Sequence, residues 1–231
     1  LIMQQNFTIL FDLDGTLVDT APDLMRAHNH VMSKFGYPTK STEEIRNLVG
    51  QGAGAMLGRS IWGQAKKEFG KVQDEKIKKE MVKEFVDYYG KNIVNESKLI
   101  DGVKDFLIWS KEKKISMGVC TNKQEHLAIE LLKKINIYDF FEYVAGGNTF
   151  DYCKPDPRHI TNMVEIMGGD IRKTIMIGDS ENDADAAKSA GVPMILVEDG
   201  YTEKKIDQIY HNHLIKDFVG IENIVLKYLN D

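Results

Sequence analysis

Two aspartates follow the first apolar run of the chain and stand two positions apart. Asp12 and Asp14 come directly after residues 7–11 and precede Gly15. Alternate residues of an extended chain point to the same side, so both carboxylates should face one site. Gly15 permits a sharp turn directly after them. A capped turn is the alternative interpretation, because Asp and Gly are common in loops.

A second acidic cluster, residues 178–183, follows another apolar run. Asp179 ends that run, and Asp183 lies one helical turn further on. Acids are also common at helix starts, but carboxylates gathered in one crevice repel: two charges 4 Å apart cost about 4 kcal/mol at an effective dielectric constant of 20. A hard divalent cation would relieve this repulsion. We predict Mg²⁺, because the spacing does not match a calcium-binding loop.

Two further clusters follow apolar runs and could bind an anion. Thr121 and Asn122 offer a hydroxyl, an amide and backbone N–H groups at a helix start, which suits phosphate, although an ordinary N-cap has the same residues. Lys154, before Pro155, could offset one of the carboxylate charges. Ligands of open α/β sheets bind beyond the carboxyl ends of the strands. We therefore expect all four clusters to meet at one place.

The elements that must position these clusters alternate between strands and helices. Strong strand candidates are residues 7–11, 115–120, 174–177 and 194–197, and weaker ones are 143–145 and 213–215. Ile160, Met163, Val164 and Met167 form an apolar helical stripe, for which Asp156 is the expected N-cap. This order predicts an α/β fold with a doubly wound, Rossmann-like parallel sheet.

Residues 20–95 show helical spacing and no strand pattern. We therefore predict a helical cap domain inserted after strand 1, covering residues 19–91, with the core formed by residues 1–18 and 92–231. Lysines 66–83 alternate with acids, which is typical of a solvated helix face.

Composition narrows the function classes. The 231 residues carry 30 Lys plus Arg and 35 Asp plus Glu, a net charge of −5, which argues against nucleic-acid binding and leaves room for a small anionic substrate. No apolar run approaches the length of a membrane span, and no Lys or Arg precedes Arg26, so no secretory signal is expected. With two cysteines, a cytoplasmic protein is expected, as a monomer or homodimer.

Together the four clusters resemble the haloacid dehalogenase superfamily of phosphohydrolases. The resemblance rests on FDLDGTLVD (residues 11–19), Thr121-Asn122, Lys154-Pro155 and GDSENDADAA (residues 178–187). Within the superfamily, residues 12–24, VGQGA (49–53) and AGG (145–147) are similar to the phosphoglycolate phosphatases. The combination is specific, whereas any one of these motifs alone would not be.

The resemblance implies a role for each residue. Asp12 would be the nucleophile that forms an aspartyl-phosphate, and Asp14 would protonate the leaving alkoxide and then activate water. Mg²⁺ would be held by the carboxylates of Asp12 and Asp179 and the main-chain carbonyl of Asp14. Asp183 would support the metal site or orient Lys154, which would stabilise charge on the nucleophile and phosphoryl oxygens.

The substrate implied is a small phosphorylated metabolite, above all 2-phosphoglycolate. Thr121 and Asn122 would bind the phosphoryl group, with Thr16 and Gly52 as further substrate-binding residues. The cap would close over the site and exclude water. A partner for the glycolate carboxylate is also expected, for which Arg26 and Arg59 are guesses.

Other functions remain open at this point. A phosphomutase, a pyrophosphatase or another small-molecule phosphatase of the superfamily would carry the same motifs. A phospho-acceptor signalling domain also has a phosphorylated Asp, a Thr and a Lys-Pro, but it is about half this length and needs no cap. A dehalogenase normally lacks the second acid, so Asp14 argues against it.

Overall fold

The computed structural model describes residues 7–62 and 72–230. Its strands are β1 (Thr8–Phe11), β2 (Val18–Asp19), β3 (Lys98–Leu99), β4 (Ser116–Cys120), β5 (Tyr143–Ala145), β6 (Thr174–Gly178), β7 (Met194–Val197) and β8 (His213–Ile215). Its α-helices are α1 (Ala21–Phe35), α2 (Thr42–Arg46), α3 (Ala53–Trp62), α4 (Val72–Lys91), α5 (Val103–Glu112), α6 (Glu125–Lys134), α7 (Arg158–Ile166), α8 (Glu181–Ala190) and α9 (Glu222–Leu229).

Six strands form a parallel sheet in the order β5-β4-β1-β6-β7-β8. All six lie where strands were expected, and β1 stands between β4 and β6 at the centre. Strands buried on both faces read as continuous apolar runs, which is why they were visible in the sequence. The predicted α/β class with a doubly wound parallel sheet is confirmed.

The core lies on both faces of this sheet. Neighbouring residues of β1 point to opposite sides, so Phe11 packs with Phe106 and Phe218 on one face. Leu10 packs on the other face in a second cluster with Met163 and Met176. The polar residues that follow β1, β4 and β6 are thereby fixed at one edge of the sheet.

One helix start differs from the expectation. Helix α7 begins at Arg158 with Pro157 as its N-cap, so the prediction of Asp156 as the N-cap is wrong by one residue. The Asp156 carboxylate instead accepts hydrogen bonds from the backbone and side chain of Arg158. An Asp before Pro can serve the first turn in this way without being the cap itself.

Four helices, α1 to α4, lie between β1 and the rest of the sheet; we call them the helical insertion. At its ends β2 and β3 pair antiparallel, with Val18 opposite Leu99. The Asp23 carboxylate, buried at the start of α1, accepts hydrogen bonds from the backbone N–H groups of Asn95, Glu96 and Ser97. The two chain segments that join the insertion to the sheet are therefore held side by side.

The lysine-rich stretch of α4 is exposed at Lys76, Lys79 and Lys83, as predicted, while Lys66, Lys67 and Lys71 lie outside the described residues.

Among the helices of the described ranges, none has both the length and the apolar character needed to cross a membrane.

Candidate active site

Lys154 joins two of the predicted acids at the edge of the sheet. Its ammonium lies 3.1 Å from the Asp12 carboxylate and 2.6 Å from that of Asp183, and it also donates to the carbonyl of Cys120. The lysine is 3% exposed. Burial alone would lower the pKa of Lys154, but the two carboxylates outweigh it and raise the pKa above its ordinary value. This lysine is therefore a permanent positive charge beside Asp12.

Three carboxylates surround a space that suits a cation. Asp12, Asp179 and Asp183 are buried, and each offers an oxygen within 4.8 Å of the others. Burial and Asp183 raise the pKa of Asp12 to about 6, against the opposing effect of Lys154. Burial and Asp12 raise the pKa of Asp179 well above its usual range. Because one lysine does not neutralise these acids, and because all the donors are oxygens, the residues fit a hard divalent ion such as Mg²⁺.

Asp179 is held by two donors from distant segments. The Thr16 hydroxyl donates to one oxygen over 2.7 Å, and the Tyr201 backbone N–H donates to the other over 2.6 Å. Gly15 (φ +79°) passes so close that an added Cβ would lie 2.5 Å from this carboxylate. Thr16 is fully buried and is not among the residues that line the cavity described below; its hydroxyl orients Asp179, and its expected substrate contact stays a prediction.

Asp183 is fixed from two sides. Its carboxylate accepts hydrogen bonds from the backbone N–H groups of Asp179 and Ser180 at the start of α8, in addition to the ammonium of Lys154. It is fully buried. Asp183 therefore positions both Lys154 and the loop that carries Asp179.

Asp14 faces partners different from those of Asp12. The Thr20 hydroxyl donates to its carboxylate over 2.7 Å, and the Lys123 ammonium donates to its two oxygens over 2.8 and 3.0 Å. Lys123 is buried, and its ammonium lies 4.7 Å from the centre of the Tyr89 ring in α4. Lys123 was not predicted from the sequence, since a lone lysine just before a helix start resembles a solvent-facing one. Its position directly after Asn122 was the available signal.

Thr121 and Asn122 lie at the end of β4, as expected. The Thr121 side chain is buried and accepts a hydrogen bond from the Lys123 backbone N–H. The Asn122 amide donates to the carbonyls of Lys154 (2.8 Å) and Gly50 (3.0 Å). It thus links the Lys154 loop to the insertion. Gly147 packs beneath this loop, where a Cβ would lie 2.3 Å from the Asn122 carbonyl oxygen.

A cavity of about 50 Å³ lies between the sheet edge and the helical insertion. The sheet side contributes Asp12, Asp14, Thr121, Asn122, Lys123, Gln124 and Leu127, and the insertion contributes Leu24, Val49, Gly50, Gly52, Ala53, Met56, Phe85 and Tyr89. The structure therefore brings Asp12, Asp14, Thr121, Asn122 and Gly52 to one cavity. Its small volume suits a small substrate.

The two guessed arginines lie elsewhere. Arg26 pairs with Asp23 and Glu96, and Arg59 pairs with Glu203 over 2.5 Å. Neither is among the residues that line the cavity, so both guesses are wrong for this arrangement.

Comparison with known proteins agrees with this geometry. The family model described as haloacid dehalogenase-like hydrolase matches residues 9–197. The phosphoglycolate phosphatase of Caulobacter vibrioides is 38% identical over 96% of this chain and 92% of its own, and that of Mesorhizobium japonicum is 34% identical over 91% and 90%.

Solved structures give the same result. A crystal structure described as a predicted phosphoglycolate phosphatase from Haemophilus somnus is 31% identical, with a TM-score of 0.86 over 96% of this chain and 99% of that one. A β-phosphoglucomutase from Clostridium difficile shares the fold at 23% identity, with a TM-score of 0.78 over 97% and 98%. The chain belongs to the haloacid dehalogenase-like hydrolase family and is a phosphatase of that family.

Proposed function

We propose that this phosphatase hydrolyses 2-phosphoglycolate to glycolate and phosphate, with Mg²⁺ as its cofactor and an aspartyl-phosphate on Asp12 as its intermediate. The observation that carries the proposal is the cavity of about 50 Å³ directly over Asp12 and Asp14, which leaves space for a small leaving group. The curated relatives named phosphoglycolate phosphatase support the same substrate.

The carboxylates of Asp12 and Asp179 and the main-chain carbonyl of Asp14 would hold the metal. Bound there, Mg²⁺ supplies positive charge for the phosphoryl oxygens and fixes their position. Thr16 and the Tyr201 N–H keep Asp179 oriented for this task. Asp183 acts one step further away, through the ammonium of Lys154 and the loop at the start of α8.

The first step forms a bond between an Asp12 carboxylate oxygen and phosphorus while the ester P–O bond breaks. Asp14 gives its proton to the departing alkoxide. The Lys154 ammonium, 3.1 Å from Asp12, offsets charge on the nucleophile and the phosphoryl oxygens. The Thr121 hydroxyl, in the lining of the cavity, provides a donor for the same oxygens.

In the second step Asp14 acts as a base, whereas it acts as an acid in the first. Asp14 takes a proton from water, which attacks phosphorus and releases phosphate with the Asp12 carboxylate restored. Thr20 and Lys123 hold Asp14 toward the leaving-group side of the cavity. The insertion walls off this side, which keeps other water away from the phosphoenzyme.

We further propose that the insertion is a cap domain on a core formed by the two flanking parts of the chain. Val18 pairs with Leu99, and Ser97 donates hydrogen bonds to the Asp23 carboxylate. Both contacts favour an end of the cap near residue 97 rather than at the expected residue 91. The two free cysteines, one of them buried, support the expected reducing compartment, the cytoplasm. A monomer or homodimer stays a prediction.

The test is a panel of phosphate esters assayed with Mg²⁺. Phosphoglycolate should show a higher kcat/KM than the hexose phosphates, the nucleotides and pyrophosphate in this panel. A tenfold preference for a hexose phosphate or a nucleotide would contradict the substrate but leave the phosphatase in place. A requirement for a bisphosphate activator would indicate a phosphomutase.

A further inference from the structure

Lys123 is the cationic side chain in the lining of the active-site cavity, as far as the described residues show. The other charged groups there are the acids Asp12 and Asp14, and the insertion side is largely apolar. The lysine side chain is 6% exposed. A buried ammonium is costly unless anions and hydrogen-bond acceptors surround it. The cavity thus holds a cation that the phosphoryl-transfer steps do not use directly.

The Lys123 ammonium has donor capacity left. It carries three N–H donors, and the structure shows contacts to the two oxygens of Asp14. The centre of the Tyr89 ring lies 4.7 Å from the same ammonium. Because Lys123 lines the cavity and the acceptor found for its ammonium among the described residues is Asp14, an N–H is left for an anion that enters the cavity.

Tyr89 adds a second donor at the same place. This residue is fully buried and lines the cavity, yet its hydroxyl has no hydrogen-bond partner among the described residues. A buried hydroxyl without a partner costs about 1–3 kcal/mol. An acceptor supplied by a ligand would remove that cost.

We propose that Lys123 and Tyr89 form a subsite for a carboxylate carried by the leaving group. This inference rests on the proposed function and deepens it, because it specifies a phosphorylated hydroxy acid. Asp14 protonates the ester oxygen, and in a 2-hydroxy acid the carboxylate is one carbon away from that oxygen. A group in contact with Asp14 is therefore correctly placed to bind it, and the cavity of about 50 Å³ limits the acid to a small one.

Paired substrates test this subsite. Phosphoglycolate is compared with its amide, phosphoglycolamide, which keeps the shape and removes the charge. A second pair is 2-phospholactate with its amide. In each pair that the wild-type enzyme hydrolyses, kcat/KM should be higher for the acid than for its amide. In Lys123→Met the ratio of kcat/KM for the acid to kcat/KM for the amide should fall by at least about tenfold, the loss of one charge-assisted bond. A loss of kcat/KM shared by acid and amide reports the support that Lys123 gives to Asp14.

Three further variants keep the result interpretable. Lys123→Gln serves if the methionine variant does not fold. Tyr89→Phe removes only the hydroxyl and should reduce the acid preference by a smaller factor. Lys133→Met is the matched control. Lys133 also lies over a tyrosine ring, 5.0 Å from the centre of Tyr138, but on the exposed face of α6. The acid-over-amide preference of this variant should equal that of the wild type.

The outcomes separate the subsite from the proposed function. If the Lys123 variants lower kcat/KM for the acid and for the amide by the same factor, Lys123 only positions Asp14 and the subsite is overturned. If the acid preference appears with phospholactate and not with phosphoglycolate, and Lys123→Met removes it, the subsite stands and the proposed substrate fails. If the wild type shows no acid preference in either pair, the subsite is overturned.

Discussion

Asp12 and Asp14 are two residues apart and have separate surroundings. Asp12 lies beside Lys154, Asp179 and Asp183. Asp14 instead contacts Thr20 and Lys123. Different partners favour different chemistry for two carboxylates on one short segment, in line with the proposal that Asp12 attacks phosphorus and Asp14 moves protons.

Replacing each acid by its amide should separate these roles. Asp12→Asn removes the nucleophile at nearly constant size, so turnover should fall to background. Asp14→Asn keeps the nucleophile and removes acid–base catalysis, which is worth about 10²- to 10⁴-fold. With p-nitrophenyl phosphate, whose leaving group needs little protonation, Asp14→Asn should give a burst of one product per enzyme followed by slow release, measured by stopped flow. A burst from Asp12→Asn would contradict the assignment.

His159 should make stability depend on pH. It is buried at the start of α7, and its Nδ1 accepts a hydrogen bond from the Lys154 backbone N–H. Burial, followed by the charge of Lys154, lowers its pKa from 6.5 to about 3. Below pH 6.5 the unfolded chain binds a proton that the folded one does not. The contribution of His159 is therefore complete above pH 6.5 and declines by up to about 1.4 kcal/mol per unit as pH falls toward 3.

His159→Asn keeps an acceptor near the Nδ1 position and removes the titration. Urea unfolding between pH 7.5 and pH 5 should therefore show a shallower loss of stability in this variant than in the wild type. The exposed His126 offers a matched control, and His126→Asn should follow the wild-type curve. Parallel curves for His159→Asn and the wild type would contradict the prediction.

The residues at strand ends could be found from sequence, and those that act across the cavity could not. Asp12, Thr121 and Asp179 each follow an apolar run, so local pattern identifies them. The contact between Lys123 and Asp14 joins positions 109 residues apart, and no local pattern reports it. Thr16 is adjacent to the predicted site, but only the fold shows that its hydroxyl faces Asp179.

At the scale of elements, one loop ties the buried carboxylate Asp179 to the insertion. The backbone N–H of Tyr201, in the loop after β7, donates to Asp179. The hydroxyl of Tyr201 accepts hydrogen bonds from the backbone N–H groups of Thr20 and Ala21, each over 2.8 Å, and donates one to the Asp19 carboxylate. The start of α1 is therefore anchored to the segment that orients Asp179.

Tyr201→Phe tests this anchor. The variant keeps the N–H that holds Asp179 but leaves two buried N–H groups at the start of α1 without a partner. Each unsatisfied group costs about 1–3 kcal/mol, so unfolding should occur at clearly lower urea concentration. The Mg²⁺ concentration that gives half-maximal activity should stay unchanged. A Tyr201→Phe variant as stable as the wild type would contradict the anchor. Tyr138→Phe, at a half-exposed ring, is the control.

Long elements were predictable because their periodicity extends over several residues. The apolar runs of β1, β4, β6 and β7 and the stripe of α7 are examples. Strands β2 and β3 have two residues each, too few for any period, so their pairing appears only in the fold. The start of α7 was misplaced by one residue because Asp156 contributes a side-chain bond from outside the helix.

For the whole molecule, the three buried carboxylates predict that metal and stability are linked. Asp12, Asp179 and Asp183 repel one another, and a cation bound only by the folded state stabilises it. At a free concentration one hundred times Kd, that gain is about 2.7 kcal/mol.

Thermal unfolding after EDTA treatment should therefore show a lower Tm, which Mg²⁺ restores along with activity. Asp179→Asn should lose most of this shift. Full activity in a verified metal-free sample would contradict the prediction. Calcium should bind yet inhibit, because its looser coordination misplaces the nucleophile.

The pairing of β2 with β3 has a consequence for how such a gene can change. Val18 lies opposite Leu99 in this antiparallel pair, and the Ile100 backbone N–H donates to the Leu17 carbonyl beside it, so the insertion begins and ends at almost the same point in space. A two-residue hairpin turn can connect antiparallel neighbours of this kind. Lengthening, replacing or deleting the coding sequence between them would leave the register of β1, β4 and β6 untouched. Selection can thus exchange the insertion while the codons for Asp12, Lys154 and Asp179, which lie outside it, stay as they are.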